Sequence, residues 1–169
     1  SGVPSIVAGL FIYTTVIALT GSFSGFAGAL ALSVLMLPTV ARTAEEVLKL
    51  VPEDLRAASY ALGASQAQTT FRVVLPSVRG GLISASVLGL ARVAGETAPL
   101  LLTSGYFKKL TTNVGNGAIG SLPTYIFSAL GAGTTESMTR AWGGACVLLA
   151  LILILFIGAR SLGGRNKGR

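Results

Sequence analysis

The sequence predicts an all-α fold, a polytopic bundle of transmembrane helices with four spans, and three observations predict it. Hydrophobic residues make up 51% of the 169 positions and charged residues only 11%, against about 25% charged in soluble domains, and the mean hydropathy is +0.73. A chain of this length cannot hide that much apolar surface in one core, so lipid is its natural solvent. The apolar residues also gather into runs close to the ~20 residues that a span requires. Finally, the basic residues behind the net charge of +7 collect between these runs and at the tail, where a membrane protein uses them for orientation. In a soluble chain such a charge would suggest nucleic acid; here it calls for no nucleic-acid partner.

The first span is expected at about 5–20 and the second at about 23–40, joined by Gly21-Ser22 as a tight helical hairpin. Pro38 would end or kink the second. Pro4 and Gly21 flank the first run without an Ala-x-Ala site or a basic leader, so it does not read as a signal peptide. The chain starts without Met, and we expect it to begin partway into a longer protein. The third span is expected at about 81–102. The fourth, at about 142–159, is the clearest, because Val147–Ile157 is unbroken aliphatic and aromatic. The segment 42–80 carries five basic residues (Arg42, Lys49, Arg56, Arg72, Arg79) and four acids; the tail carries Arg160, Arg165, Lys167 and Arg169 and no acid. The positive-inside rule places both in the cytoplasm and 104–141, with only Lys108, Lys109 and Arg140, outside. Four spans satisfy both placements, with Ser1 inside.

Within the cytoplasmic segment, Glu45–Leu50 reads as a short continuation of the second span, stopped by Pro52. Glu53 and Asp54 then open a new helix, where acids suit the positive dipole end. Gly63 ends it as a flexible corner, and a second short helix over about 64–73 closes at Leu75-Pro76. Two short helices around a glycine elbow make a knob that fits a cleft in another protein; an ordinary amphipathic connector is the alternative.

The third run carries charge. Arg92 and Glu96 stand four residues apart, one turn along one helix face. Gly81, Ala85 and Gly89 form a small-residue stripe suited to close helix approach. At 100° per residue Arg92 lies about 20° from Gly81, and Glu96 about 20° from Ala85, so the charges share the face turned to neighbouring helices. Arg92 stands ~16 Å along the helix from Gly81, near mid-membrane. An ionised group there costs at least about 2.5 kcal/mol on insertion scales. Two readings remain open: an ion pair that locks packing, or a polar station on an anion pathway, in which the planar guanidinium suits phosphate oxygens and Glu96 keeps Arg92 oriented. Thr97 and Thr103 would add hydroxyls to such a pathway, or bond back to their own helix.

Other features carry less. Histidine is absent and Cys146 is the single cysteine, so metal-ligand spacing, an internal disulfide and an activated nucleophile are all missing. An enzyme is the weakest reading and no cofactor is expected. Asn113–Gly120 is glycine-rich without the Gly-Lys-Ser/Thr ending of a phosphate-binding loop; it reads as a turn region, and any energy must come from a partner. Gly21-x-x-x-Gly25 reads as punctuation, Cys146 as core filler, and Lys108-Lys109 as a solvated pair or an attractor of anions at the outer mouth. Trp142 and Tyr106 suit the membrane interface.

Two motifs carry a resemblance. The spacing of Ala57-Ala58-Ser59, Gly63, Val73 and Leu75-Pro76 resembles the cytoplasmic loop of binding-protein-dependent ABC importer permeases: Glu-Ala-Ala, three residues, Gly, nine residues, Ile, one residue, Leu-Pro. Ala57 replaces the Glu, Ser59 the second Ala and Val73 the Ile. The stretch Ala94–Leu101 resembles the Gly-Glu-Thr-Ala-Pro-Leu signature of the phosphate importer permeases. Gly2–Val7, Leu122-Pro123 with Ile126-Phe127, and Arg140-Ala141-Trp142 agree with it. The resemblance implies a type I importer (MetI-like) permease fold in a bacterial inner membrane, with two further spans upstream. It implies that Ala57, Ala58, Ser59, Gly63, Val73, Leu75 and Pro76 couple to an ATPase, and that Arg92, Glu96 and Thr97 line the route of inorganic phosphate. The implied partners are a sister permease (PstC), two copies of the ATPase (PstB) and an external phosphate-binding protein (PstS). A permease for another oxyanion, molybdate or sulfate, and a membrane scaffold or sensor of phosphate signalling are the alternatives.

Overall fold

The computed structural model describes residues 4–109 and 111–164. Ser1, Gly2, Val3 and the tail residues Arg165, Lys167 and Arg169 lie outside these, and so do the expectations that rest on them. The described residues are helical, without a strand. Helix α1 covers Ser5–Thr20, α2 Gly25–Lys49, α3 Glu53–Ala61, α4 Gln66–Val93, α5 Ala98–Thr103, α6 Leu122–Gly131 and α7 Thr135–Gly164.

Three of the described helices, not four, are long and apolar enough to cross a membrane: α2, α4 and the Thr135–Gly158 part of α7. The expected first span is α1, which has the boundaries that the apolar run suggested. Its 16 residues rise only about 24 Å, short of the ~30 Å hydrocarbon layer. A π-turn at Tyr13–Ile17 widens it, and the Thr14 and Thr15 hydroxyls donate back to carbonyls one turn earlier. Gly21, at φ +69°, makes the corner that ends α1. The Ser24 hydroxyl accepts the Ala27 N–H and starts α2. The hairpin core is Ile12 and Ile17 against Ala27 and Ala31.

Pro38 does not end α2, which continues to Lys49. The third expected span is also displaced. Instead of one helix over 81–102, α4 starts at Gln66 and ends at Val93, and the chain restarts as α5. The second short helix expected at 64–73 is therefore the beginning of α4. Pro76 does not close it, because a π-turn at Thr70–Val74 precedes Leu75. Proline lacks an N–H and its ring collides with the carbonyl four residues back; a wider turn before it takes up both defects without ending the helix.

The small-residue stripe on α4 packs against α2. Ala85 and Gly89 are buried. A Cβ added at Gly81 would meet Val47 Cγ1 at 2.5 Å, and one at Gly89 would collide with Val40 and crowd Met36. Gly9 of α1 similarly lies against Pro99 of α5, and Gly144 of α7 against Ile126 of α6. Leucine at position 89 would force α2 and α4 apart. We expect Gly89→Leu to destabilise the fold by about 1–3 kcal/mol, read as a lower melting temperature of the purified protein in detergent. Cys146, expected in the core, is exposed on α7, whose apolar surface is almost wholly outward: Leu149, Leu153, Ile154 and Ile157 are each more than half exposed.

Candidate functional site

Two places combine polar chemistry with unusual backbone. The first is the gap between α4 and α5. Gly95 is a poor helix former and Pro99 cannot donate to the carbonyl of Gly95, and together they favour a break here. The Ala94 N–H closes the last turn on Leu90 O, the Glu96 N–H donates to Val93 O at 3.1 Å, and the ladder resumes when the Leu101 N–H reaches Thr97 O. The break falls just after Arg92, which helical rise from Gly81 led us to expect near mid-membrane. Irregular backbone at that depth is tolerated only where it is buried in protein or lines an aqueous cavity.

A cavity is present there. It has a volume of about 240 Å³ and is lined by Arg92 and Glu96 together with Ser5 of α1 and Val34, Leu35, Pro38 and Thr39 of α2. A water's share of liquid volume is about 30 Å³, so the space admits a small anion with part of its hydration. Arg92 is exposed and Glu96 half-buried. The two do not stand one turn apart on a continuous helix, because α4 ends between them. Among the described residues the ion pairs join Arg42 to Glu45 and Glu46, and Lys49 to Glu45; Arg92 and Glu96 share a cavity rather than a bridge. Pro38, having no N–H, leaves the Val34 carbonyl without its helical donor, and both residues line the cavity. Ser5, Pro38 and Thr39 are lining residues that sequence patterning alone misses. Thr97 does not line the cavity. Thr103 is buried with its hydroxyl donated to Pro99 O at 2.7 Å, committed to its own helix.

The second place is the knob, where the α3 start and the glycine corner are as the sequence implies, while its second helix is the beginning of α4. Glu53 and Asp54 occupy the first turn of α3 behind Pro52, and Gly63 turns the chain at φ +81°. Ser65 then starts α4 through a capping box with Gln68. Ala57, Ala58, Gly63 and Pro76 are exposed, and Val73 and Leu75 are half-buried. Leu50, Tyr60, Leu62 and Phe71 carry exposed apolar surface around them, Leu62 at 89%. Ser59 differs from its neighbours. It is buried, and its hydroxyl bonds that of Thr69 at 2.9 Å, tying α3 to the first turn of α4 above buried Val51 and Val74. Ser59 therefore braces the knob from within and offers no contact outside. Nothing in the spacing announces Thr69 as its partner. Replacing Thr69 by Val strands the Ser59 hydroxyl in a buried setting, at a cost of about 1–3 kcal/mol. Amide hydrogen exchange across 53–74 is expected to speed up in Thr69→Val while α7 keeps its protection.

The knob and the residues from 103 onward lie at opposite ends of α2. Near the N-terminal end, the Ser24 N–H donates to Thr103 O and the Phe26 N–H to Val114 O; at the far end Arg56 Nη2 donates to Leu48 O. Twenty-five helical residues separate these ends by about 37 Å.

The chain matches the family of the binding-protein-dependent transport system inner membrane component over residues 1–167. It is 44% identical over 160 residues to the phosphate transport system permease protein PstA 1 of Mycobacterium tuberculosis (strain CDC 1551 / Oshkosh), covering 94% of this chain and 53% of the relative. It is 41% identical over 164 residues to PstA of Yersinia pestis, covering 97% and 55%. With the probable PstA of Methanocaldococcus jannaschii it shares 35% over 157 residues, covering 93% and 56%. The chain thus spans about half the length of the curated relatives it matches. No solved structure matches it.

Proposed function

The chain belongs to the family of binding-protein-dependent transport system inner membrane components, and from that premise we propose that it forms part of the inward route of inorganic phosphate through a bacterial inner membrane. The observation that carries the reading is the cavity at the α4–α5 break, where one guanidinium and one carboxylate share a small space between helices. Arg92 offers a planar donor fork to phosphate oxygens. Glu96, unpaired with it, keeps the site from holding the anion too tightly and stays free to turn toward Arg92 when the anion leaves. Relatives named for phosphate transport support phosphate over the other oxyanions.

In this reading residues 42–80 are cytoplasmic and 104–141 external. The Ala57–Pro76 knob docks in a separate ATPase through its exposed alanines and apolar rim. A sister permease covers the open side of Arg92, and an external binding protein delivers phosphate. Nucleotide-driven movement of the knob would reach the cavity through α4, which is continuous from Gln66 to Val93, and would open the cavity to alternate sides. No bond in phosphate breaks in this process.

The substrate assignment is tested by ATP-driven uptake of radiolabelled phosphate into vesicles holding the complete transporter, with molybdate and sulfate as competitors. Phosphate uptake that excess sulfate and molybdate leave unchanged is expected. Preferential uptake of either competitor would replace phosphate in the assignment, and absence of any anion uptake would favour a scaffold or sensor.

A further inference from the structure

A second cavity, of about 560 Å³, lies between the segment after α5, helix α6 and the start of α7. Its rim carries two cations, Lys108 and Arg140, and its wall carries Tyr106, Tyr125 and Ser128. Lys108 and Arg140 come from segments 32 positions apart in sequence, and the fold brings them to one opening. Neither has an acidic partner within ion-pair distance among the described residues. Glu136 stands one turn before Arg140 on α7, where a bridge is sterically available, yet none forms and Glu136 is not a lining residue. Ser121 and Ser137, also in the wall, commit their hydroxyls to the turns that start α6 and α7: Ser121 accepts the Thr124 N–H, and Ser137 accepts the Thr134 N–H and donates to Thr134 O. The hydroxyls of Tyr106, Tyr125 and Ser128 carry no hydrogen bond among the described residues.

We propose that this cavity is an oxyanion site for a phosphate group, separate from the Arg92–Glu96 cavity and at the opposite end of α2 from the knob. Two unpaired cations beside three uncommitted hydroxyls are the donor set that a tetrahedral oxyanion needs, and charge-assisted donation supplies most of the hold. The cavity is open to solvent, which keeps its anion in exchange. It would raise the local anion concentration at the outer end of the route. The phosphate group has two possible sources, free inorganic phosphate or the headgroup of an anionic phospholipid. The choice of free phosphate and the placement at the outer end rest on the transport reading above.

The test uses the complete transporter, with the full-length form of this chain, in nanodiscs of phosphatidylcholine with traces of phosphatidylglycerol. Binding of radiolabelled inorganic phosphate is measured without nucleotide in an Arg92→Gln background, which removes the central site, with and without Lys108→Gln plus Arg140→Gln. Phosphatidylglycerol retained by each complex is counted by native mass spectrometry. A Lys108→Arg, Arg140→Lys pair, which keeps both charges, controls for folding. Residual phosphate binding that weakens at least about tenfold on loss of both cations, and returns in the charge-keeping pair, supports a free-phosphate site. Unchanged phosphate binding with selective loss of phosphatidylglycerol supports the same cavity with a headgroup in it. If neither ligand responds to the two cations, the assignment is overturned. Because the background already lacks Arg92, that result says nothing against the central cavity, whose failure appears in uptake instead.

Discussion

Arg92→Gln is expected to stop phosphate uptake while leaving the permease assembled with its ATPase. The effect is electrostatic. Glutamine keeps the length and part of the hydrogen-bonding capacity of arginine but removes the charge and the fork, so every charge-assisted bond to the anion becomes a neutral one. Hydrogen bonds to charged groups contribute about 1.5–3 kcal/mol each; losing two raises the barrier enough to slow uptake by at least about a hundredfold. Arg92→Lys keeps the charge as a compact, strongly hydrated ammonium without the bidentate geometry, and should fall between the two. Assembly should survive, because Arg92 lies near the far end of α4, about 24 Å along the helix from Pro76, and carries no ion pair among the described residues. Initial uptake rates in vesicles, with co-purification of the ATPase as the assembly measure, separate these outcomes. Loss of uptake and assembly together would mean that Arg92 holds the fold rather than the anion.

The second large effect is expected at Gly63. Its φ of +81° is a conformation that costs an L side chain roughly 1–2 kcal/mol, and its surroundings are open. In Gly63→Trp the backbone strain would loosen the turn between α3 and α4, and the indole would project from the surface we assign to the ATPase cleft. ATPase captured by the purified permease should fall at least about tenfold. Gly133, at φ +67° and also without neighbours, supplies the comparison at the other end of the molecule. Gly133→Trp introduces similar strain and bulk and should leave capture unchanged. Equal loss in both variants would show that misfolding, not docking, is being read.

These two positions show which parts of the molecule its sequence makes legible. Gly63, Gly21 and the Pro52-Glu53-Asp54 helix start are local chemistry: one residue's φ or one terminus's dipole decides the outcome, and the structure agrees with the sequence at each. The break at 94–97 is less accessible. Ala94 and Ala98 are good helix formers, and a hydropathy window slides across four irregular residues without registering them, so α4 and α5 read as one span. Treating Pro76 as a stop fails for the opposite reason. The π-turn at Thr70–Val74 that admits it is a property of the backbone that no residue preference announces. The first span fails on length: Ser5–Thr20 is apolar throughout, but its helical rise is too small to cross unaided. The Ser59–Thr69 bond and the meeting of Ser5, Thr39 and Glu96 depend on how helices pack, and short-range spacing carries no record of them. The close approach of α2 and α4 is intermediate. The Gly81, Ala85, Gly89 stripe identifies the face of α4 but not the helix it meets.

Water access to the cavity at the α4–α5 break tests the central claim most directly. Thr39 lines that cavity from α2. In the complete transporter with Cys146→Ser, a Thr39→Cys thiol can be titrated with a charged, membrane-impermeant thiosulfonate applied to either side. The account predicts that the thiol reacts from the external side in one nucleotide state and from the cytoplasmic side in the other, and that millimolar phosphate slows the reaction in both. A thiol that stays unreactive from both sides in every state, or whose labelling is indifferent to phosphate, would contradict it.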